Sequence, residues 1–427
     1  MNLNKTIRIL TILVVSRGVL PVITSTMTVT SLVNLISTLI SFTIILLVRK
    51  RFNDVQIEKK NLVNGFFFYG VVVLVYSCFV AGSYEQWRYL STVFLPSLLL
   101  PFFVIAGGDK DSVKMVIRIL IYIALPLSSL LYFSNIGGMW DFSHYVSFLY
   151  LLLLLALPYV PYKWRVLFLL LSIISVLSNL ENRSNMLNFG VVSIIMLVVH
   201  IPPKSITRKV SRLLRFIFLF LPPLLVLLGI LNIFNIFNFG DQFSEDFVVS
   251  NADAESSLTT DTRTGIFKDA LMAIDERNAY VWGISAAGLY KTQLEDVSDE
   301  FFEELKLGRM GNEVGILEYL LRGGLIYVVL VFLLYYHASR LAIWRSNNLF
   351  CKSMGLFVAF RWLFLFIESQ PTLTLANLVE FLVIGICLSP AFRQMSDYEM
   401  KVFIRQSVRL KDRRPRLVMK RKILLAD

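Results

Sequence analysis

The sequence predicts an all-α integral membrane protein, a polytopic helical bundle of about 12 transmembrane helices with one large extracytoplasmic helical loop. Three observations predict it. Hydrophobic residues fill 56% of the 427 positions and charged residues only 17%, against about 45–50% and about 25% in soluble domains. The apolar residues gather in runs near the roughly 20 that cross a bilayer as a helix. The basic residues fall mainly between alternate runs. A core in a chain of this size cannot hide so much apolar surface, so lipid must be the solvent for most of it. Soluble enzyme, disordered scaffold and secreted disulfide module are excluded.

In chain order the spans read as residues 9–29, 30–48, 62–82, 88–106, 115–135, 145–161, 165–180, 185–201, 214–236, 314–336, 349–369 and 371–390. The first follows Lys5 and Arg8 with no small-residue cleavage site after it, which reads as a retained signal anchor. Arg17 interrupts it and Pro21 would kink it. An even number of spans puts both termini on one side. That side carries 30 of the 42 Lys and Arg residues, including 11 from Arg393 onward. By the positive-inside rule it is the cytoplasm, and the expected location is the bacterial inner membrane. Placed there, the net charge of +12 is an orientation and lipid-headgroup signal rather than a nucleic-acid site.

The chain thus divides into helices 1 to 9 (residues 1–236), a large external loop (237–313), helices 10 to 12 (314–390) and a basic cytoplasmic tail (391–427). Cys78, Cys351 and Cys387 lie in apolar runs at no metal or disulfide spacing, and no metal or cofactor is expected. No internal repeat appears, which disfavours transporter folds built from repeats.

The loop holds 16 of the 30 acidic residues against six basic ones. From Asp261 or Thr262 it predicts a capped helix with Ile266, Phe267, Ala270, Leu271 and Ile274 on its apolar face and Asp269 and Glu276 facing away. VWGISAAGLY follows, where Gly283 and Gly288 suit a tight turn. A second short helix is expected from about Ser298 to Gly308. Together these predict a helical cap over the outer mouth of the bundle.

Ionisable groups inside spans are costly and must face protein or water. Arg17, Glu318, Arg322, Lys352, Arg361, Glu368 and Glu380 are such groups. Glu318 and Arg322 stand four apart, and Arg361 and Glu368 seven apart, so each pair shares a helix face and either pairs internally or binds substrate. Arg183 and Arg263 sit at the outer boundary in polar surroundings. Trp87, Trp140 and Trp282 lie near outer boundaries, where an interfacial belt and sugar stacking both place tryptophan.

ENRSNMLNFG between spans 7 and 8, TRTGIFKDALMAI and VWGISAAG in the loop, and GNEVGILEYLLRGGLIY entering span 10 together resemble the O-antigen and capsular polysaccharide polymerase and O-antigen ligase family, over roughly residues 165–340. The resemblance implies about a dozen spans, a large late external loop, and external arginines that hold the diphosphate of an undecaprenyl-linked saccharide. Arg183 matches the arginine after span 7. Arg263 matches the loop arginine before an amphipathic helix and glycine turn. Ligases of the family carry a histidine, then Asn, Ser or Gln, and further on a Gly and a Gly, Thr or Tyr. Gly324 and Tyr327 fit the end of that pattern, Glu313 falls at the histidine, Val314 follows and Asn312 lies beside it. The resemblance therefore favours polymerase over ligase, with the lipid-linked oligosaccharide, membrane lipid and a chain-length regulator protein as partners.

The chemistry agrees with this. Glycan transfer from a lipid diphosphate needs guanidiniums on the leaving group and a base for the attacking hydroxyl. Arg183 and Arg263 are expected to supply the first and Glu313, partly desolvated with its pKa raised toward working pH, the second. Arg309, Asn312, Glu318, Arg322, Arg361 and Glu368 are the remaining candidates for substrate contact. No Asp-x-Asp arrangement occurs in the outward loops to bind a divalent metal. A flippase or secondary transporter shares the spans and buried charges but does not need a structured loop of this size. Ligation is the third reading.

Overall fold

The computed structural model describes residues 3–23, 27–133, 156–177, 183–231, 262–291, 308–368 and 370–409. Among them the chain is helical, with a single isolated bridge between Tyr290 and Arg309 and no strand. The helices are α1 (Leu3–Ile23), α2 (Met27–Asp54), α3 (Lys60–Val80), α4 (Tyr84–Ala106), α5 (Lys110–Leu130), α6 (Tyr162–Leu177), α7 (Arg183–His200), α8 (Lys204–Ile230), α9 (Thr262–Glu276), α10 (Gly315–Trp344), α11 (Leu349–Phe364), α12 (Leu375–Leu388) and α13 (Asp397–Ser407). Six stretches among them, Ser31–Asp54, α3, α4, α5, Ser205–Gly229 and α10, are long and apolar enough to cross a membrane. Their number and apolarity point to a multi-pass membrane protein. The span expected at 145–161 and the helix expected from Ser298 fall almost wholly outside the described residues, as does the tail beyond Arg409.

Helix starts follow the local chemistry. Ser83 and Gln86 close a capping box on α4, Asn348 caps α11, Thr374 caps α12, and Ser396 with Glu399 boxes α13. The backbone and hydroxyl of Ser396, bonding to the Glu399 carboxylate, hold it below the usual carboxylate range.

Buried polar groups tie the helices together where prolines open them. Pro96 lacks the N–H that would bond the carbonyl of Thr92, and α4 runs through a π-turn at Leu90–Phe94 just before it. Arg17 of α1 takes that freed carbonyl at 3.0 Å and also donates to Asn34 O at 2.8 Å and Thr38 Oγ1 at 2.7 Å. Arg17 therefore does not interrupt its helix, which continues through Pro21. The same device recurs in α8, where Pro223 frees Leu219 O and the indole N–H of Trp362 donates to it at 3.0 Å. Arg215, four residues farther back, is buried, donates to Ser339 Oγ and Tyr336 O, and lies over the Tyr336 ring.

The core centres on α10, α11 and α12, with α3 and α4 alongside. At one end, α13 and the turn before it lock the helix ends. Glu58 lies between Arg393 and Arg345, Tyr122 donates to Val408 O, and Arg118 donates to Gln406 O.

Candidate functional site

The site begins with a broken helix. α10 enters at Val314 and is interrupted at Gly323 and Gly324, whose φ/ψ values are −142°/16° and 65°/−164°. Such a break frees a carbonyl before it and an N–H after it, and neither can stay unpaired inside a bundle. The segment after α9 supplies both partners. Ile284 N donates to Leu321 O at 2.7 Å, and Leu325 N donates to Tyr280 O at 2.8 Å. Only glycine fits at position 324, because a Cβ there would stand 2.2 Å from Val281 O. Tyr69 of α3 donates to Gly323 O at 2.6 Å and closes the other side.

This strap, residues 280–291, then runs along the bundle. Ala286 N and the Ser285 hydroxyl both reach Ser77 Oγ at 3.0 Å, and Gln86 Nε2 donates to Ala287 O at 2.7 Å. Gly283 takes the positive φ expected of the turn, 73°. The strap is wedged against α3 and α10. α9 packs against α10, with Ile266, Ala270, Ala273 and Ile274 buried. Asp269 is buried with them at 4% exposure, contrary to the expectation that it faces away.

Beyond Tyr290 the strap meets the segment that leads into α10. Tyr290 and Arg309 exchange backbone hydrogen bonds of 3.1 and 2.8 Å. The Tyr290 hydroxyl donates to Gly311 O at 2.8 Å and accepts from Asn312 Nδ2 at 3.1 Å. Burial pushes that phenol up to about 12; Glu318 and Asp269 add to the rise, while the Arg309 guanidinium and the Asn312 hydrogen bond oppose it. Asn312 is fully buried, and its Oδ1 accepts from Val314 N at 2.9 Å. Both ends of its amide are engaged within the chain, tying Tyr290 to the start of α10.

Beneath the rim lies a charged trio. Gly311 presses so closely on Tyr89 that a Cβ would come within 2.5 Å of the phenol oxygen. That phenol donates to Glu318 Oε1 at 2.6 Å and accepts from Arg322 Nη2 at 2.9 Å. Arg322 is also ion-paired with Glu318 and donates to Pro371 O at 3.2 Å. Glu318 is 1% and Arg322 2% exposed. Glu318 Oε2 and Arg322 Nε have no hydrogen-bond partner among the described residues.

At the surface, Arg309 bonds Glu313 at 3.1 Å. Glu313 is 68% exposed, so the expected desolvation of this carboxyl is absent. It lies in the bend just before α10, with its side chain mostly exposed.

The remaining candidates lie elsewhere. Arg361 does not pair with Glu368. α11 ends at Phe364, so the helical register that would align them stops four residues short. Arg361 bonds Glu380 of α12 at 2.6 Å instead, with Asn188 Oδ1 at 3.4 Å and Tyr335 donating to the other Glu380 oxygen. Glu368 is half-buried beyond the helix. Arg183 is the first residue of α7 and Arg263 the second of α9; their side chains lie outside the described residues.

Tyr89, Tyr290 and Gln86 had no signal in the sequence beyond standing near a span end or in the loop. Among the described residues no three His, Cys, Asp or Glu side chains gather to hold a metal ion. Comparison of the chain with protein-family models, with curated proteins and with solved structures finds no match.

Proposed function

We propose that the protein polymerises undecaprenyl-diphosphate-linked oligosaccharide repeat units by inverting, metal-independent glycosyl transfer on the outer face of the bacterial cytoplasmic membrane. In this reading the chain has 12 spans, both termini are cytoplasmic and residues 237–313 are external. One observation carries it. Segments that bear the family resemblance, TRTGIFKDALMAI, VWGISAAG and GNEVGILEYLLRGGLIY, come together as α9, the strap and the broken start of α10, joined by the Ile284–Leu321 and Leu325–Tyr280 backbone hydrogen bonds.

The chemistry then follows from the residues. Arg263 and Arg183 hold the donor diphosphate, for which a guanidinium fork is suited. The acceptor hydroxyl attacks the anomeric carbon of the donor glycan and passes its proton to Glu313, which is exposed to an incoming sugar. The anomeric carbon–oxygen bond to the diphosphate breaks, and undecaprenyl diphosphate leaves with the bond pair. A single displacement inverts the anomeric centre. Arg309 orients the Glu313 carboxylate, and the buried Tyr89–Glu318–Arg322 trio fixes the floor beneath it.

Glycan profiling of a strain lacking the gene tests the proposal. Single capped repeat units on lipid A are expected. Lipid-linked units held on the cytoplasmic face would instead indicate a flippase, and lipid-linked polymer without transfer a ligase; either result overturns the assignment.

A further inference from the structure

The strap has one exposed apolar stretch. Tyr280, Val281 and Trp282 are 44%, 48% and 60% exposed, whereas residues 283–288 are all buried. Backbone hydrogen bonds fix where this stretch lies along α10, beside Leu325 and Ile326. From Leu325 to Trp344 the helix continues for about 20 residues, or about 30 Å at 1.5 Å per residue, the thickness of bilayer hydrocarbon. Trp344 and Arg345, the latter paired with Glu58, mark the far boundary. The near boundary therefore falls at Leu325, level with Tyr280–Trp282.

The neighbours agree with that depth. Leu325 and Val329 on α10 are each 50% exposed, and Phe68 and Val72 on α3 are 68% and 40% exposed. Trp282 stacks on Tyr69 of α3 at 6.5 Å between ring centroids, so its surface is continuous with the apolar faces of two helices. Asp275, Glu276 and Arg277, exposed just before the stretch, supply the polar shoulder that a headgroup layer accepts. Non-helical backbone at membrane depth needs partners within the protein, and here the Tyr280 and Val281 carbonyls and the Gly283 and Ile284 N–H groups have them.

We propose that Tyr280–Trp282 inserts into the acyl chains of the adjacent leaflet, anchoring the loop in the bilayer while its backbone is locked into the α10 break. The loop is then partly re-entrant rather than wholly aqueous, and the membrane itself helps to hold the strap in place. This rests on the membrane reading of the apolar helices and not on the polymerase assignment.

Spin-label accessibility in full-length protein reconstituted in liposomes tests it. In a Cys78→Ser background, which removes the exposed thiol and leaves buried Cys351 and Cys387, nitroxides are placed singly at Trp282→Cys and Val281→Cys. Leu325→Cys serves as the lipid-facing reference and Glu276→Cys as the polar one. Both test sites should favour oxygen over a water-soluble nickel chelate to the same degree as Leu325→Cys. Nickel access matching Glu276→Cys would show a loop in water, and low collision with both reagents would show a covering protein surface; either result overturns the proposal. Val281→Cys keeps the Trp282–Tyr69 stack, so a failure of Trp282→Cys to fold leaves the test intact.

Discussion

Glu318 and Arg322 sit one turn apart in the first half of α10, ion-paired and almost fully buried, with Tyr89 of α4 bonded to both. Removing one member of such a pair strands the other charge, which costs about 3–5 kcal/mol, whereas replacing both with apolar groups of similar size is often near neutral. Glu318→Gln and Arg322→Met should therefore each lower stability by about that amount in thermal unfolding of the detergent-solubilised protein. The double variant Glu318→Leu with Arg322→Met should recover most of the loss. Single variants costing less than about 1 kcal/mol would mean that the trio is solvated rather than buried.

The α10 break makes a second expectation. Gly324 combines a left-handed φ with a Cβ position already filled by the Val281 carbonyl. Gly324→Ala should expel the strap and destabilise by well over the roughly 1 kcal/mol of a simple positive-φ penalty. Gly65, inside α3 with open space where a Cβ would go, is the control: Gly65→Ala should be neutral or stabilising by up to about 1 kcal/mol. Protease sensitivity of the 280–291 segment reads the first effect separately from global unfolding.

Much of this architecture is legible in the sequence, and the exceptions share a cause. Six apolar runs long enough to span, helix α9 and the Glu318–Arg322 pair all follow from periodicity within one segment, and each is found among the described residues. The break at Gly323–Gly324 is not legible, because two glycines in an apolar run read as a tolerated helix interior until the strap that needs them is known. Asp269 reads as an outward residue by its own helical wheel and is nonetheless buried in the tertiary structure. Tyr89 joins the trio from 229 residues away in sequence, and nothing local announces it.

Arg361 illustrates the same limit and can be tested. Its spacing from Glu368 suggests a pair along one helix, but the partner is Glu380 on the neighbouring one. Glu380→Gln should cost about 3–5 kcal/mol, since it leaves a buried guanidinium uncompensated and weakens the Tyr335 contact. Glu368→Gln should stay within about 0.5 kcal/mol of the parent. Equal losses in the two variants would reassign the partner.

Tyr290 gives a pH dependence with a defined sign. Its phenol titrates near 10 when unfolded and is pushed up to about 12 by burial in the folded chain. Between those values the unfolded state loses its proton first, so stability falls as pH rises through the window, by about 2–3 kcal/mol in all. Below pH 10 the contribution is fully present. Tyr290→Phe should remove this component, so the difference in stability between parent and variant should change between pH 10 and 12 and be flat below pH 9. A flat difference throughout would place the phenol in water.

Glu313 is the proposed base, and its geometry allows a sharper test than loss of function alone. The carboxylate is exposed and held at 3.1 Å by Arg309, whose own side chain is only 18% exposed. Glu313→Gln keeps the shape and the contact to Arg309 but removes the basicity. Removing a positioned base costs about 100-fold to 10,000-fold in rate, which should leave single repeat units instead of polymer at equal protein level. Arg309→Ala removes the orienting contact but leaves the base, so at equal protein level it should shorten the polymer while retaining measurable extension. Glu313→Gln should unfold within about 0.5 kcal/mol of the parent, as expected for an exposed position, whereas Arg309→Ala truncates a largely buried side chain and should cost more. Normal chain length in Glu313→Gln would move the base elsewhere, and the buried Glu318, already committed to Arg322 and Tyr89, would be a poor replacement for it.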